Sequence, residues 1–334
     1  MKLSILIKAL NEEALIAKCI ETALAEVRKV DGEVILVDSL STDRTVEIAR
    51  QYPIRIIQFT QREDCGCGSA VQLGYQYARG EYLYILDGDM ELQSGFLSLA
   101  LNYLKLNPDV AGVAGKLLDT CIRTAEDRRR DSIAAAQRQA MEVSDLGGGG
   151  LYRREAVDSV GYLAHRWLPA CEEAELGARL RAAGWRLIRL PNTAVFHTGH
   201  SESNLQMFNR LWRNRRMQAY GMYLRTALWR PWWWLSVRQL WSIFAAPILH
   251  VAAVILAIGA VYLEVITIVP ALIAGEFIIW QGVVAALAIR KKSVPDALLS
   301  VYEWNCYATA AIFGFMQSIP DPMIPIKARE LTKH

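Results

Sequence analysis

Apolar and polar positions at the start of the chain fall into a repeating order. LSILIKAL (3–10) is an apolar run of strand length, and NEEALIAKCIETALAEV (11–27) carries its apolar residues at helical spacing. Asn11 is placed to cap that helix, with Glu12 and Glu13 in its first turn against the positive end of the dipole. GEVILVDS (32–39) is nearly all apolar up to Asp38, as a strand buried on both faces requires. STDRTVEIARQY (41–52) predicts a second helix, IRIIQF (54–59) a third strand, SAVQLGYQYARG (69–80) a helix stopped by glycine, and EYLYILDGD (81–89) a fourth strand. Strands alternating with helices over short links predict an α/β fold, a Rossmann-like and mostly parallel sheet with helices on both faces. Such sheets bind ligands beyond the carboxyl ends of their strands. Asp38 and the pair Asp87 and Asp89 stand at such ends.

The next hundred residues are less regular. LLD (117–119) predicts a strand that leads into the arginine-rich stretch 122–139. Four glycines at 147–150 permit close approach of a backbone. CEEAELGARLRAAGW (171–185) predicts a helix with acids at its start, Arg179 and Arg181 further on, and Gly184 as its stop. WRLIRLPNTAVFHTGH (185–200) predicts a last strand ending on His197 and His200.

After residue 204 the pattern changes. Residues 205–241 interleave arginine with Trp, Tyr, Leu and Met, the composition of amphipathic helices lying in a membrane interface. SIFAAPILHVAAVILAIGAVYL (242–263) has no formal charge, and residues 265–289 carry only Glu276. Each is long enough for a hydrocarbon core of about 30 Å. Arginines precede the first span and Arg290, Lys291 and Lys292 close the second, which predicts a hairpin with both flanks cytoplasmic. Residues 297–319, with Glu303, Asn305 and Gln317, predict a re-entrant or interfacial helix, with a third span as the alternative. The expected organisation is a cytoplasmic domain over 1–204, interfacial helices over 205–241, a transmembrane region over 242–319 and a tail over 320–334.

Composition sharpens this picture. Hydrophobic types make up 53% of the 334 residues, and the excess lies in the C-terminal third. The start, MKLSILIKALNEE, has too short an apolar core and no small-residue cleavage site for a secretory signal. The soluble domain is therefore expected on the cytoplasmic face, of a bacterial inner membrane. Six cysteines at irregular spacings fit neither a disulfide framework nor a paired CxxC zinc site.

YILDGDMEL (84–92) raises the chemical question. Two carboxylates this close repel unless a cation lies between them or one stays protonated. A D-x-D at a strand end can hold Mg2+ or Mn2+ through hard oxygens while leaving positions for water and phosphate. Asp38, at the end of an earlier strand, can accept hydrogen bonds from a base or ribose. Together these residues describe a nucleotide-diphosphate pocket.

SILIKALNEEALIAKCI, EVILVDSLSTDRTVEIA and GSAVQLGYQYARGEYLYILDGDMEL resemble the N-terminal half of glycosyltransferase family 2, inverting enzymes of GT-A fold, over about residues 1–200 and in the family's order. The resemblance implies a nucleotide-sugar site at Ala9, Asn11, Glu12, Asp38, Arg62, Asp87, Gly88 and Asp89, with Asp38 on the base. It implies Mn2+ or Mg2+ on Asp89, with Asp87 and His197, and an acceptor loop at Gly148, Gly149 and Gly150. It also implies a catalytic pair, Glu172 and Glu173. Glu173 takes the general-base position, where the family commonly has Asp, and Glu172 remains the alternative. Arg128, Arg129 and Arg130 are phosphate candidates. Gln72 stands where the family often has Asn. Gln206 is followed by Asn209, Arg210, Leu211 and Trp212, so the Q-x-x-R-W of processive synthases is broken.

The expected function is inverting transfer of a sugar, foremost from a UDP-sugar, to a lipid or lipid-linked acceptor. Extension of an exopolysaccharide is the alternative within the class, and a non-catalytic nucleotide-sugar-binding membrane scaffold the alternative outside it. A sugar nucleotidyltransferase would want a basic glycine-rich loop near the first strand, where only Lys8 is found. Donor, acceptor and bilayer are the expected partners; a second copy is admissible and nucleic acid is not expected.

Overall fold

A computed structural model describes residues 2–122, 124–199, 204–265 and 267–331, and in it the chain separates into two units. His200 lies outside the described residues. The first unit comprises Met1–Arg216, Trp229–Ser236 and Ile319–His334. Its elements run β1 (Leu3–Ala9), α1 (Ile16–Val27), β2 (Gly32–Asp38), α2 (Thr45–Ala49), β3 (Arg55–Phe59), α3 (Cys67–Tyr77), β4 (Tyr82–Asp87), β5 (Met90–Leu92) and α4 (Phe96–Leu106). They continue as β6 (Val110–Asp119), α5 (Ala125–Ala136), β7 (Met141–Glu142), β8 (Gly150–Arg153), α6 (Arg154–Ser159), α7 (Glu172–Ala182), β9 (Arg186–His197) and α8 (Asn204–Arg213).

The strand order is β10-β3-β2-β1-β4-β8-β6-β9-β5, where β10 is the C-terminal strand Ala328–Glu330. The first four strands pair in parallel, as the alternating pattern requires. Beyond β4 the sheet is mixed rather than mostly parallel. β8 runs antiparallel between β4 and β6, and β5, β7 and β10 also pair antiparallel. Antiparallel neighbours need no crossover helix between them, so the strict strand–helix alternation of the first half does not extend to these strands.

Alternation along the central strands divides the core into two layers. Leu3, Ile5 and Ile7 pack with α1 and α4, while Leu6 packs with α3, α6 and α7. Lys8 follows Leu6 on the second face.

Two local expectations are corrected. Asn11 does not cap α1, which begins at Ile16. Asn11 sits in the left-handed region at φ 58° and accepts the backbone N–H of Thr42 at 2.8 Å. The loops after β1 and β2 clasp each other: Glu12 N–H donates to Thr45 Oγ1 at 2.7 Å and Glu13 N–H to Asp43 at 3.0 Å. This mutual satisfaction of loop backbones outweighs local capping and leaves Glu12 at the strand ends. Likewise α3 ends at Tyr77, ahead of Gly80. Gly80 instead lets the chain run against β1, where a Cβ would stand 2.5 Å from Ser4 N.

The second unit comprises Met217–Leu228 and Val237–Ser318. It holds α9 (Ala219–Ala227), the end of α10 (Trp233–Gln239), α11 (Ala245–Tyr262), α12 (Ile268–Lys291) and α13 (Val294–Phe315). Two segments are long and apolar enough to cross a membrane, Trp241–Tyr262 and Ile268–Lys291, with mean hydropathies of 2.4 and 2.0. Only 22% and 11% of these windows are buried, whereas a core helix of a soluble protein hides most of its apolar surface. His250 bridges three helices: Nδ1 meets Glu276 at 2.9 Å and Nε2 meets Asn305 Oδ1 at 2.9 Å, while Trp280 Nε1 donates to Glu276. α9 and α13 touch through glycine, since a Cβ on Gly221 would lie 1.7 Å from the Ala311 carbonyl.

Candidate active site

Strand order and register bring the acids together. β1 is followed in sequence by β2 on one side and neighbours β4 on the other, so the sheet's direction of winding reverses between β1 and β4. That reversal leaves a crevice at the carboxyl ends of the strands. In it Ala9 lies opposite Asp38 and Lys8 opposite Asp87.

Lys8 organises one half of the crevice. Its Nζ stands 3.1 Å from Asp87 Oδ1 as an ion pair and donates to Glu172 Oε1 at 3.4 Å. Burial works against the ammonium, but Asp87 and then Glu172 outweigh it and hold the pKa well above the ordinary lysine value. Glu172 and Glu173 open α7 directly after Cys171, whose φ of 68° is left-handed strain of the kind stored at functional sites. Glu172 is buried; Glu173 is partly exposed. Burial, then Glu172, push Glu173 up to about 8, against the lowering effect of Lys8. Arg216 faces the same cluster; burial opposes its charge, and Cys67, Glu172 and Glu173 sustain it.

Asp89 belongs to the other half. Its Oδ2 lies 3.3 Å from His197 Nε2, and its Oδ1 is buried with no hydrogen-bond partner. His197 Nδ1 meets Asp119 Oδ1 at 2.6 Å, and Arg130 grips Asp119 with two bonds of 2.9 Å. Burial disfavours a charged imidazole, yet the hydrogen bonds to Asp89 and Asp119 raise His197 to about 9. Glu12 is raised to about 7 by burial, then by Asp89 and Asp87. Asn11, Glu12, Asp43, Asp89 and Thr198 line an open cleft of about 500 Å³.

Asp38 is fully buried, accepting from Gln58 Nε2 at 2.8 Å and from Ser41 N–H at 3.2 Å. Arg62 is exposed and donates to the Leu40 carbonyl at 3.5 Å. A Cβ on Gly88 would stand 3.0 Å from Glu12 Cγ, so this glycine keeps the D-x-D turn close to the first loop. Among the loop glycines, Gly149 needs its φ of 80°, and a Cβ on Gly148 would meet Met90 Cε at 2.7 Å. These glycines pack into the sheet, with Gly150 starting β8. Arg130 binds carboxylates. Gln72 is buried and accepts from the N–H groups of Leu163 and Ala164. The sequence reading missed Lys8 and Asp119 as site residues. Lys8 is the only charge in an apolar strand, and Asp119 ends its strand on an acid as Asp38 does.

The residues present suit a hard divalent cation. The lone Asp89 Oδ1 is a carboxylate oxygen of the kind Mn2+ or Mg2+ takes, with water and phosphate completing the shell, and the neighbouring His197 Nε2 would ligate only on giving up its proton as the cation binds. Among the described residues no three His, Cys, Asp or Glu side chains converge as a ligand set, and Asp87 is turned to Lys8.

Comparison with known proteins agrees with this architecture. Residues 4–161 match the model of Glycosyl transferase family 2. The chain is similar to the poly(ribitol-phosphate) beta-glucosyltransferase of Bacillus spizizenii, 33% identical over 113 residues, covering 32% of this chain and 18% of that protein. It is also similar to the beta-monoglucosyldiacylglycerol synthase of a Nostoc species, 25% identical over 237 residues, covering 66% of this chain and 49% of that one. These matches thus span less than half the length of either relative. Among solved structures, the mannosyltransferase PcManGT from Pyrobaculum calidifontis, in complex with GDP-Man and Mn2+, superposes with a TM-score of 0.63 at 21% identity, over 94% of this chain and 87% of that one. Residues 4–161, which build most of the sheet and crevice of the first unit, thus carry the pattern of glycosyl transferase family 2 in a GT-A fold.

Proposed function

We propose that this protein transfers a sugar, with inversion, from a nucleoside diphosphate sugar to a lipid or lipid-linked acceptor at the cytoplasmic membrane face. The observation that carries the reading is that one reversal point of the sheet gathers Asp89, with its unpartnered oxygen, in one half of the crevice and the Lys8–Glu172 pair, beside Glu173, in the other. Asp38 reads the base, and Asp89, with His197, would hold a divalent cation. That cation, when bound, stabilises negative charge developing on the departing diphosphate. Glu173 takes the proton of the acceptor hydroxyl as it attacks. Glu172 and Asp87 are tied to Lys8, which leaves Glu173 as the free carboxylate of the catalytic pair. A double displacement would need a second one as nucleophile, so a single inverting step is favoured.

The donor is assigned as a UDP-sugar, because the Asp38 carboxylate suits the uracil N3–H and the similar fold of TarS was solved with UDP-GlcNAc; a GDP-sugar, whose guanine N–H groups also suit a carboxylate, is the competitor in the panel. The apolar segments favour a lipid acceptor, as does the similarity to a diacylglycerol glycosyltransferase. The test is transfer from a panel of nucleotide sugars to membrane lipid extract, read by mass, with and without Mn2+ or Mg2+. Metal-dependent product that is absent in Glu173→Gln, with nucleotide binding retained, is expected. Equal loss of binding and transfer in that variant would move Glu173 to a structural role, and no product from any donor would leave the scaffold reading.

A further inference from the structure

The chain does not end with the apolar helices. After Ser318 it rejoins the first unit and adds β10 to the edge of the sheet, antiparallel to β3. The attachment is specific. Arg166, 3% exposed, donates to the carbonyls of Ile324 at 2.6 Å and Pro325 at 3.0 Å. Arg55 forks onto Glu330 at 2.8 and 3.3 Å, and Leu331 N–H donates to the Ile56 carbonyl at 2.8 Å.

This strand reaches the crevice through one row of side chains. Arg329 lies opposite Gln58, Gln58 opposite Asp38, and Asp38 opposite Ala9. Arg329 donates to Gln58 Oε1 from Nη2 at 2.6 Å and from Nε at 3.1 Å. Gln58 Nε2 then donates to Asp38 Oδ2 at 2.8 Å. An amide has an acceptor end and a donor end, so a guanidinium on its oxygen leaves its nitrogen for the carboxylate. Turned the other way, the amide would set oxygen against oxygen in a fully buried place, an unsatisfied and repulsive arrangement.

We infer that β10 is a working part of the donor site, in which Arg329, acting through Gln58, positions the Asp38 carboxylate that reads the nucleobase. Arg329 is a positioning residue and touches no substrate itself. The inference rests on the nucleotide-sugar reading of the crevice and deepens it: donor recognition depends on a strand encoded beyond the apolar helices, at the far end of the chain from Asp38.

The experiment uses full-length protein in detergent with Mn2+, titrated with UDP, GDP and ADP by calorimetry, beside donor kinetics and thermal unfolding. Arg329→Met is expected to weaken UDP binding about tenfold, to narrow the preference for UDP over ADP, and to raise donor KM while kcat at saturating donor stays within about twofold. Arg329→Lys, a point charge without the fork, should restore part of the affinity. Gln58→Met breaks the relay with β10 still anchored by Arg55 and Arg166, and should reproduce the binding defect if Arg329→Met fails to fold. Unchanged nucleotide affinity and preference in both variants, with only a lowered unfolding temperature, would reduce β10 to edge closure and overturn the inference. Wild-type protein that binds none of the three nucleotides would instead overturn the donor-site reading beneath it.

Discussion

Lys8 and Glu172 meet at 3.4 Å, joining the first strand of the sheet to the first turn of α7, while the same ammonium holds Asp87 at 3.1 Å. One half-buried cation therefore balances an acid from each of the two motifs. Lys8→Met removes that balance and leaves Asp87, Glu172 and Glu173 to repel one another. The pocket should answer by binding a proton, most readily at Glu173. We expect kcat/KM at pH 7 to fall at least about tenfold, the effect of one pKa unit, and to recover in part as pH rises. Lys8→Arg should keep most of the activity. A pH series on the two variants checks this, and equal loss at every pH would make Lys8 purely structural.

The pH dependence of the unaltered protein has a definite sign. Glu173 is raised to about 8, first by burial and then by Glu172. A general base works only when deprotonated, so kcat/KM, which reports the free enzyme, should climb with pH up to about 8 and level off above it. Glu173→Gln should abolish turnover across the range. A profile flat from pH 6 to 9 would assign the base elsewhere.

Much of this arrangement was legible in the sequence because it follows from local pattern. Asp38 and Asp87 end apolar runs, and runs of that type become buried parallel strands whose ends share one crevice. What stayed hidden depends on which strands become neighbours. Lys8 reads as a lone charge until β1 and β4 pair and set it opposite Asp87. Asp119 finds His197 only because β6 and β9 run side by side, 78 residues apart in sequence. Asn11 misled for a related reason: its partner Thr42 lies on another loop, and local capping rules do not see it. The mixed half of the sheet was equally out of reach, since nothing local to β8 announces that it inserts antiparallel between β4 and β6.

Glu175 and Arg179 bear on the stability of α7. Two bonds of 2.8 Å join them, their side chains are 0% and 1% exposed, and Tyr162 donates a third bond to Glu175 at 2.7 Å. Glu175→Ala would leave a guanidinium buried without its counter-charge, a loss of about 3–5 kcal/mol. Thermal unfolding should show a large drop, and adding Arg179→Leu should recover only part of it. The carbonyls of Val160 and Tyr162, which Arg179 also serves, stay unsatisfied in the double variant. Additive losses from the two substitutions would contradict the pairing.

Asp119 orients His197 from behind, and Arg130 orients Asp119. Histidine ligands depend on such partners for ring orientation and basicity, and losing one costs about 10–100-fold in metal affinity. Asp119→Asn should weaken Mn2+ binding by that order without altering the fold, measured by the paramagnetic signal of free Mn2+ in a titration. Unchanged affinity would remove His197 from the metal site.

The C-terminal strand also constrains how the chain meets a bilayer. Arg329 pairs with Gln58 inside the unit that holds β1, so the chain leaves that unit for the apolar helices and comes back to it. A chain that leaves a folded body and returns to it crosses a membrane an even number of times in between. Two segments, Trp241–Tyr262 and Ile268–Lys291, are long and apolar enough. Adding α13 as a third crossing would make the number odd, and Glu303 and Asn305 within it argue against burial in lipid. The expected result is that a protease site inserted after Glu264 is cut only from the side opposite the catalytic unit, while sites at Ser293 and Asp321 are both cut from its own side. Cleavage at Glu264 from the catalytic side would mean that the hairpin lies on the membrane without crossing it. Opposite sidedness of Ser293 and Asp321 would mean that α13 crosses, and β10 could then not pair with β3 in the membrane-bound protein.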